Sequence, residues 1–179
     1  MNRESRVRLA SCVNAFCCTS LLALALLMLM TGCVSVARVS DFPTTAEGLN
    51  FEELAQRNYD RKDAIWNERT GFEYFIEVEK IHEDALISGV TRAMEHLGYA
   101  IQYSEKEHRT IIGQRGLQAN EWSSVAGVYY RPTGENFQIY VRNKITQDFT
   151  GGWRDNRAQK IAQAICRQLG TCVDLHPGK

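Results

Sequence analysis

Residues 71–99 read GFEYFIEVEKIHEDALISGVTRAMEHLGY, and their hydrophobic period changes partway along. Over GFEYFIEVEKI, Phe72, Tyr74, Ile76 and Val78 alternate with Glu73, Phe75, Glu77 and Glu79. A period of two places the two sets on opposite faces, which predicts a half-buried β-strand. From Glu83 the step lengthens. Leu86, Val90, Ala93 and Leu97 recur at intervals of four, three and four, one stripe along a helix. Gly98 suits the left-handed position just past the end of that helix. A strand followed by a one-sided helix predicts a helix lying on a sheet.

The same reading extends towards the C-terminus. YAIQYSEKEHRTIIGQRG, residues 99–116, predicts two strands around a polar turn near Lys106, with Tyr99, Ile101 and Tyr103 on one face. SSVAGVYYRPTGENFQIYVRNKI, residues 123–145, predicts a hairpin. Pro132, Thr133 and Gly134 supply turn chemistry, and Phe137, Ile139 and Val141 alternate with Gln138, Tyr140 and Arg142. DNRAQKIAQAICRQLG, residues 155–170, predicts a closing helix with a stripe of Ala158, Ile161, Ile165 and Leu169, capped by Asp155 and stopped by Gly170. The order is strand, helix, four strands, helix. It predicts an α+β fold: a two-layer sandwich of about five antiparallel strands with two helices on one face. The other face must meet water or a partner.

Towards the N-terminus, NFEELAQRNYD can form a short helix capped by Asn50, with Phe51, Leu54, Ala55 and Tyr59 near one face. Residues 61–70 carry no clear pattern, although DAIWNE could be a short strand. VSVARVSDFPTTAEGLN, residues 34–50, shows no sustained period and contains Pro43, Thr44, Thr45 and Gly48. It is expected to be a flexible tether.

Ahead of it stands LLALALLMLMTGCVS, residues 21–35. Its strongly apolar core, Leu21 to Met30, is 10 residues. That is short of the roughly 20 needed to cross a bilayer. Arg3, Arg6 and Arg8 precede it, opposed only by Glu4. A basic head before an apolar core is the order of a secretory signal. The alternative is an uncleaved membrane helix with an incidental cysteine.

Met30-Thr31-Gly32-Cys33 resembles the lipobox of bacterial lipoproteins. Met30 and Thr31 stand where leucine and alanine or serine are commoner. The resemblance implies cleavage between Gly32 and Cys33, a diacylglycerol on the Cys33 thiol and an acylated amine. More than one chain is what stable anchoring requires. It also implies a signal peptide over residues 1–32, a tether over 33–50 and a single domain over 51–179, facing the periplasm. Val34, where an aspartate retains enterobacterial relatives at the inner membrane, points to the outer membrane. Over residues 72–170 the body loosely resembles the small helix-on-sheet domains of periplasmic accessory lipoproteins, including those that assist outer-membrane protein assembly. No diagnostic motif accompanies that likeness, so it implies no binding residues.

The chain has 21 basic and 21 acidic residues. Loss of residues 1–32 would leave 18 against 20. With no basic excess to neutralise phosphates, nucleic acid is not an expected partner. Of six cysteines, Cys12, Cys17 and Cys18 would leave with the signal and Cys33 would be lipidated. Cys166 and Cys172 remain, and an oxidising periplasm favours a disulfide between them over two buried thiols.

Signs of catalysis are few. His82 and His96 lie 14 residues apart, about 21 Å along a helix, too far to share a metal. With His108 and His176 they are expected to be surface histidines, and no metal or cofactor is expected. Glu73, Glu77 and Glu79 share a strand face about 6–7 Å apart, a spacing open to acid–base work but commoner on a wet face. TGGWRDN, residues 150–156, could offer free N–H groups to an anion or simply lead into the last helix. Phe75, Gln138, Tyr140 and Arg142 fall on the outward sheet face, and aromatics beside an arginine make a candidate binding patch. The expected function is a non-catalytic binding or accessory module anchored in the cell envelope through its lipid and partnered by an envelope protein. A structural subunit of a secretion or transport complex is the alternative, and an enzyme comes third.

Overall fold

The computed structural model describes residues 37–57, 59, 71–117, 123–145 and 157–173. All of them belong to one compact unit, Ser35–Lys179. The signal segment, Gly32, Cys33, residues 61–70 and 150–156, Asp155 and His176 lie outside the described residues.

The α+β prediction holds. Strand β1 spans Gly71–Val78, β2 Ala100–Glu105, β3 Thr110–Arg115, β4 Ser124–Thr133, β5 Asn136–Ile145 and β6 Cys172–Val173. They form one antiparallel sheet in the order β2-β3-β4-β5-β1-β6, the two-residue β6 being the strand beyond the expected five. Helix α1 spans Phe51–Gln56, α2 Glu83–His96 and α3 Arg157–Leu169, and a 3₁₀ turn covers Val39–Asp41. The long helices α2 and α3 pack on each other, α3 over β1 and β5, α2 over β2 and β3.

Register explains this layer. Val141 pairs with Tyr74 on one side and Val128 on the other, so these side chains share the helix face. Ile76, Val78, Ile139, Tyr130 and Ile111 extend that face and are all buried. Leu86, Val90 and Ala93 of α2, and Ala158, Ile161 and Ile165 of α3, close over it. Burying each larger aliphatic side chain contributes about 1.5–3 kcal/mol. Helix α2 carries Glu83 and Asp84 in its first turn and His96 in its last, matching the helix dipole. Its end is as predicted. Gly98 has φ 83°, its N–H donates to the Glu95 carbonyl and that of Tyr99 to the Met94 carbonyl, so two terminal carbonyls are satisfied.

Four local features differ from expectation. The register of β2 shifts between Ile101 and Tyr103. This bulge leaves Ile101 against the main core and sends Tyr103 to the opposite face beside Ile112, because one extra residue inverts the alternation. The β4–β5 turn falls at Gly134 and Glu135, with Pro132 still in the strand opposite Phe137. Helix α1 has its Asn50 cap, whose Oδ1 accepts the Glu53 N–H at 3.2 Å, but stops at Gln56. Tyr59 lies beyond it and donates its hydroxyl to the Leu54 carbonyl at 2.6 Å.

The fourth difference is the largest. Residues 37–50, expected to belong to a flexible tether, are packed on the sheet. Ala37 and Phe42 bury themselves with Ile112 and Val125, and Val39 packs beside them. Ala46 donates its N–H to the His108 carbonyl at 2.9 Å. Together with α1 this segment covers the sheet face opposite the two long helices, making a third, thin layer.

Candidate functional site

The outward sheet face was expected to carry a patch of Phe75, Gln138, Tyr140 and Arg142. The four residues are neighbours in register, with Phe75 opposite Tyr140 and Glu77 opposite Gln138. They are not an exposed patch. Phe75 is 0% exposed and Tyr140 4%. Phe75 meets the ring of Phe51 edge-on at 6.2 Å, and Tyr140 stacks on Tyr129 at 6.0 Å. Gln138 Oε1 accepts from Arg131 at 2.7 Å. The Arg142 guanidinium lies 5.6 Å from the centre of the Phe42 ring. The partner this face demanded is the chain's own N-terminal segment.

Charge fastens the cover along its length. Asp41 pairs with Lys144 at 3.0 Å, Glu52 with Arg131 at 2.6 Å, and Arg57 with Glu73 at 3.0 Å. The Lys144 hydrogen bond, with a second from the Arg38 backbone, holds the Asp41 carboxyl below its ordinary range. Glu52 is lowered by its own backbone amide and by Arg131. Arg131 also sits 5.0 Å over the Phe51 ring. Exposed pairs of this kind add little by themselves. The burial of Phe42 and Phe51, at about 1.5–3 kcal/mol each, is the larger effect. Removal from water also pushes the phenols of Tyr129 and Tyr140 well above their usual range.

The glutamates in and just after β1 do not converge on a cleft. Glu73 is engaged by Arg57, Glu77 accepts from Asn136 at 3.0 Å, and Glu79 is exposed. His82 and His96 stand at opposite ends of α2, both exposed, and His108 bonds through Nδ1 to the Tyr103 hydroxyl at 2.6 Å. Among the described residues no group of three or more His, Cys, Asp or Glu is placed to hold a metal. Behind the sheet, buried Asn143 donates to Tyr99 Oη, Ser124 Oγ and the Val125 carbonyl at 2.8–3.1 Å, a polar knot inside the core.

Cys166 and Cys172 stand at disulfide distance, with Cα atoms 5.2 Å apart. Gly170, at φ 75°, turns the chain between them. Beside this pair opens a shallow groove of about 250 Å³, lined by Tyr74, Ile76, Gln163, Cys166, Arg167 and Cys172. Sequence reasoning missed it. Its one signal is that Gln163 and Arg167 are four apart, away from the apolar stripe of α3. Gln163 and Arg167 could donate hydrogen bonds to a small ligand, and its lining holds no acid–base pair.

No known protein family matches the chain, and none of the curated proteins matches it. Among solved structures it overlaps the di-domain ARO/CYC StfQ from the steffimycin biosynthetic pathway, with 8% identity and a TM-score of 0.40, over 60% of this chain. The match spans 52% of that structure, and nothing is transferred from so distant a likeness.

Proposed function

We propose that the chain is a lipid-anchored lipoprotein of the bacterial cell envelope, whose domain binds or assists another envelope component without catalysing a reaction. The observation that carries this reading is the order of the N-terminal residues: Arg3, Arg6 and Arg8, then Leu21 to Met30, then Gly32 and Cys33. Gly32 supplies the small residue before the cut and Cys33 the sulfur that takes the diacylglycerol. Val34 favours the outer membrane. The site chemistry supports binding over turnover, because the groove at Cys166 offers an amide and a guanidinium beside apolar walls.

Intact mass of the protein extracted from membranes in detergent tests the anchor. The expected species begins at Cys33 and carries acyl mass, and Cys33→Ala accumulates as unprocessed precursor. A mature chain starting elsewhere, or a full-length chain without acyl mass, would overturn the proposal. Partners that co-purify with the acylated protein then identify what it assists.

A further inference from the structure

We infer that the end of the sheet bearing Leu117 lies against the bilayer in the anchored protein, with lipid as the surface it contacts. This rests on the proposed lipidation of Cys33. Ala37 is already buried in the cluster with Phe42, Ile112 and Val125. Only Val34, Ser35 and Val36 separate it from Cys33. Four Cα steps reach at most about 14 Å. The lead is therefore far shorter than the 33–50 tether expected from composition.

The course of the cover shows which end the lead leaves from. Asp41 binds Lys144, the Pro43 carbonyl then accepts from Tyr129 Oη at 3.0 Å, and Ala46 reaches His108 in the β2–β3 turn. Lys144 pairs with Val125 and Gly71, where β5 ends and β4 and β1 begin. The segment thus runs away from that end, and its first residues belong there. β3 stops at the same end, where Arg115 faces Ser124. Leu117 follows two residues later and is 75% exposed, the most exposed large apolar side chain among the described residues.

The ten-residue β5 is about 34 Å long. With Cys33 held at headgroup level, a lead of about 14 Å cannot lift Ala37 by that length, so the domain cannot stand on its opposite end at Glu135. Leu117 at the near end can dip into the boundary between headgroups and acyl chains.

The test uses the full chain, processed in membranes and reconstituted in phosphatidylethanolamine–phosphatidylglycerol vesicles. Leu117→Cys and, at the far turn, Glu135→Cys each receive a fluorescent thiol label at one per chain. Vesicles with a nitroxide-bearing phospholipid should quench the label at position 117 several-fold more than at 135. A flexible Gly-Ser insertion of about twelve residues after Val34 should reduce that difference. Equal quenching at both positions, or none at 117, in protein whose mass shows acyl chains overturns this inference alone. A chain without acyl mass overturns it together with the lipoprotein reading.

Discussion

Gly127 decides whether the outer face can be covered. A Cβ there would stand 2.9 Å from Phe42 Cδ1 and 2.7 Å from Tyr129 Oη, closer than side chains tolerate. A glycine inside a strand ordinarily weakens it, and alanine would be the better residue on backbone entropy. Here the close approach of two rings reverses the sign. Gly127→Ala is expected to cost about 1–3 kcal/mol through overpacking. The loss should fall on residues 37–46, which would become open to proteolysis while β4 and β5 stay protected. A urea midpoint at or above that of the parent, with unchanged protease resistance, would show that the hollow under Phe42 does not matter.

Elements whose neighbours all lie on one side were legible. α2 and α3 each bury one face, so a period of 3.6 records them, and the helix side of β1, Tyr74, Ile76 and Val78, keeps a period of two although its other side is covered too. Ahead of its helix α1, which its period and Asn50 cap predicted, the cover was not legible, because Ala37, Phe42 and Ala46 each fit a separate place and follow no period. The candidate patch failed for a related reason. Alternation correctly put Phe75 and Tyr140 on the outward face, but it carries no record of what lies on top. The bulge after Ile101 likewise left no mark in composition. The cover's attachment should depend on acid. The folded-state pKa values of Asp41 and Glu52 lie below their unfolded values, so their stabilisation is present above the ordinary carboxylate range and is lost as pH falls through it. Asp84, lowered by Lys106, follows the same sign on the helix side. Between about pH 5 and pH 3 the hydrogen-exchange protection of the Ala46 amide should drop more than that of central β4 and β5 amides. Equal changes would mean that these pairs do not hold the cover.

At the scale of the molecule, the sheet is buried on both sides, by two long helices on one face and a thin cover on the other. A chain beginning at residue 60 would lay bare Phe75, Val125, Tyr129 and Tyr140, a contiguous apolar face of the kind that drives association. It is expected to bind a hydrophobic dye and to aggregate, whereas a chain beginning at Ser35 stays monomeric. A monomeric, dye-silent short chain with an unchanged melting temperature would refute this. The cover also has a consequence in time. The Asp41–Lys144 pair closes a span of 103 residues and the Pro43–Tyr129 bond one of 86. A chain exported N-terminus first presents Phe42 and Phe51 long before the hairpin that receives them exists, and closure over such spans comes late. On the proposed route, the stretch around Gly32 and Cys33 is open to its processing enzymes during that interval. Were Cys33 acylated as proposed, acylation would belong to the arriving chain and burial of the cover to the finished one, so the protein would complete its fold already moored.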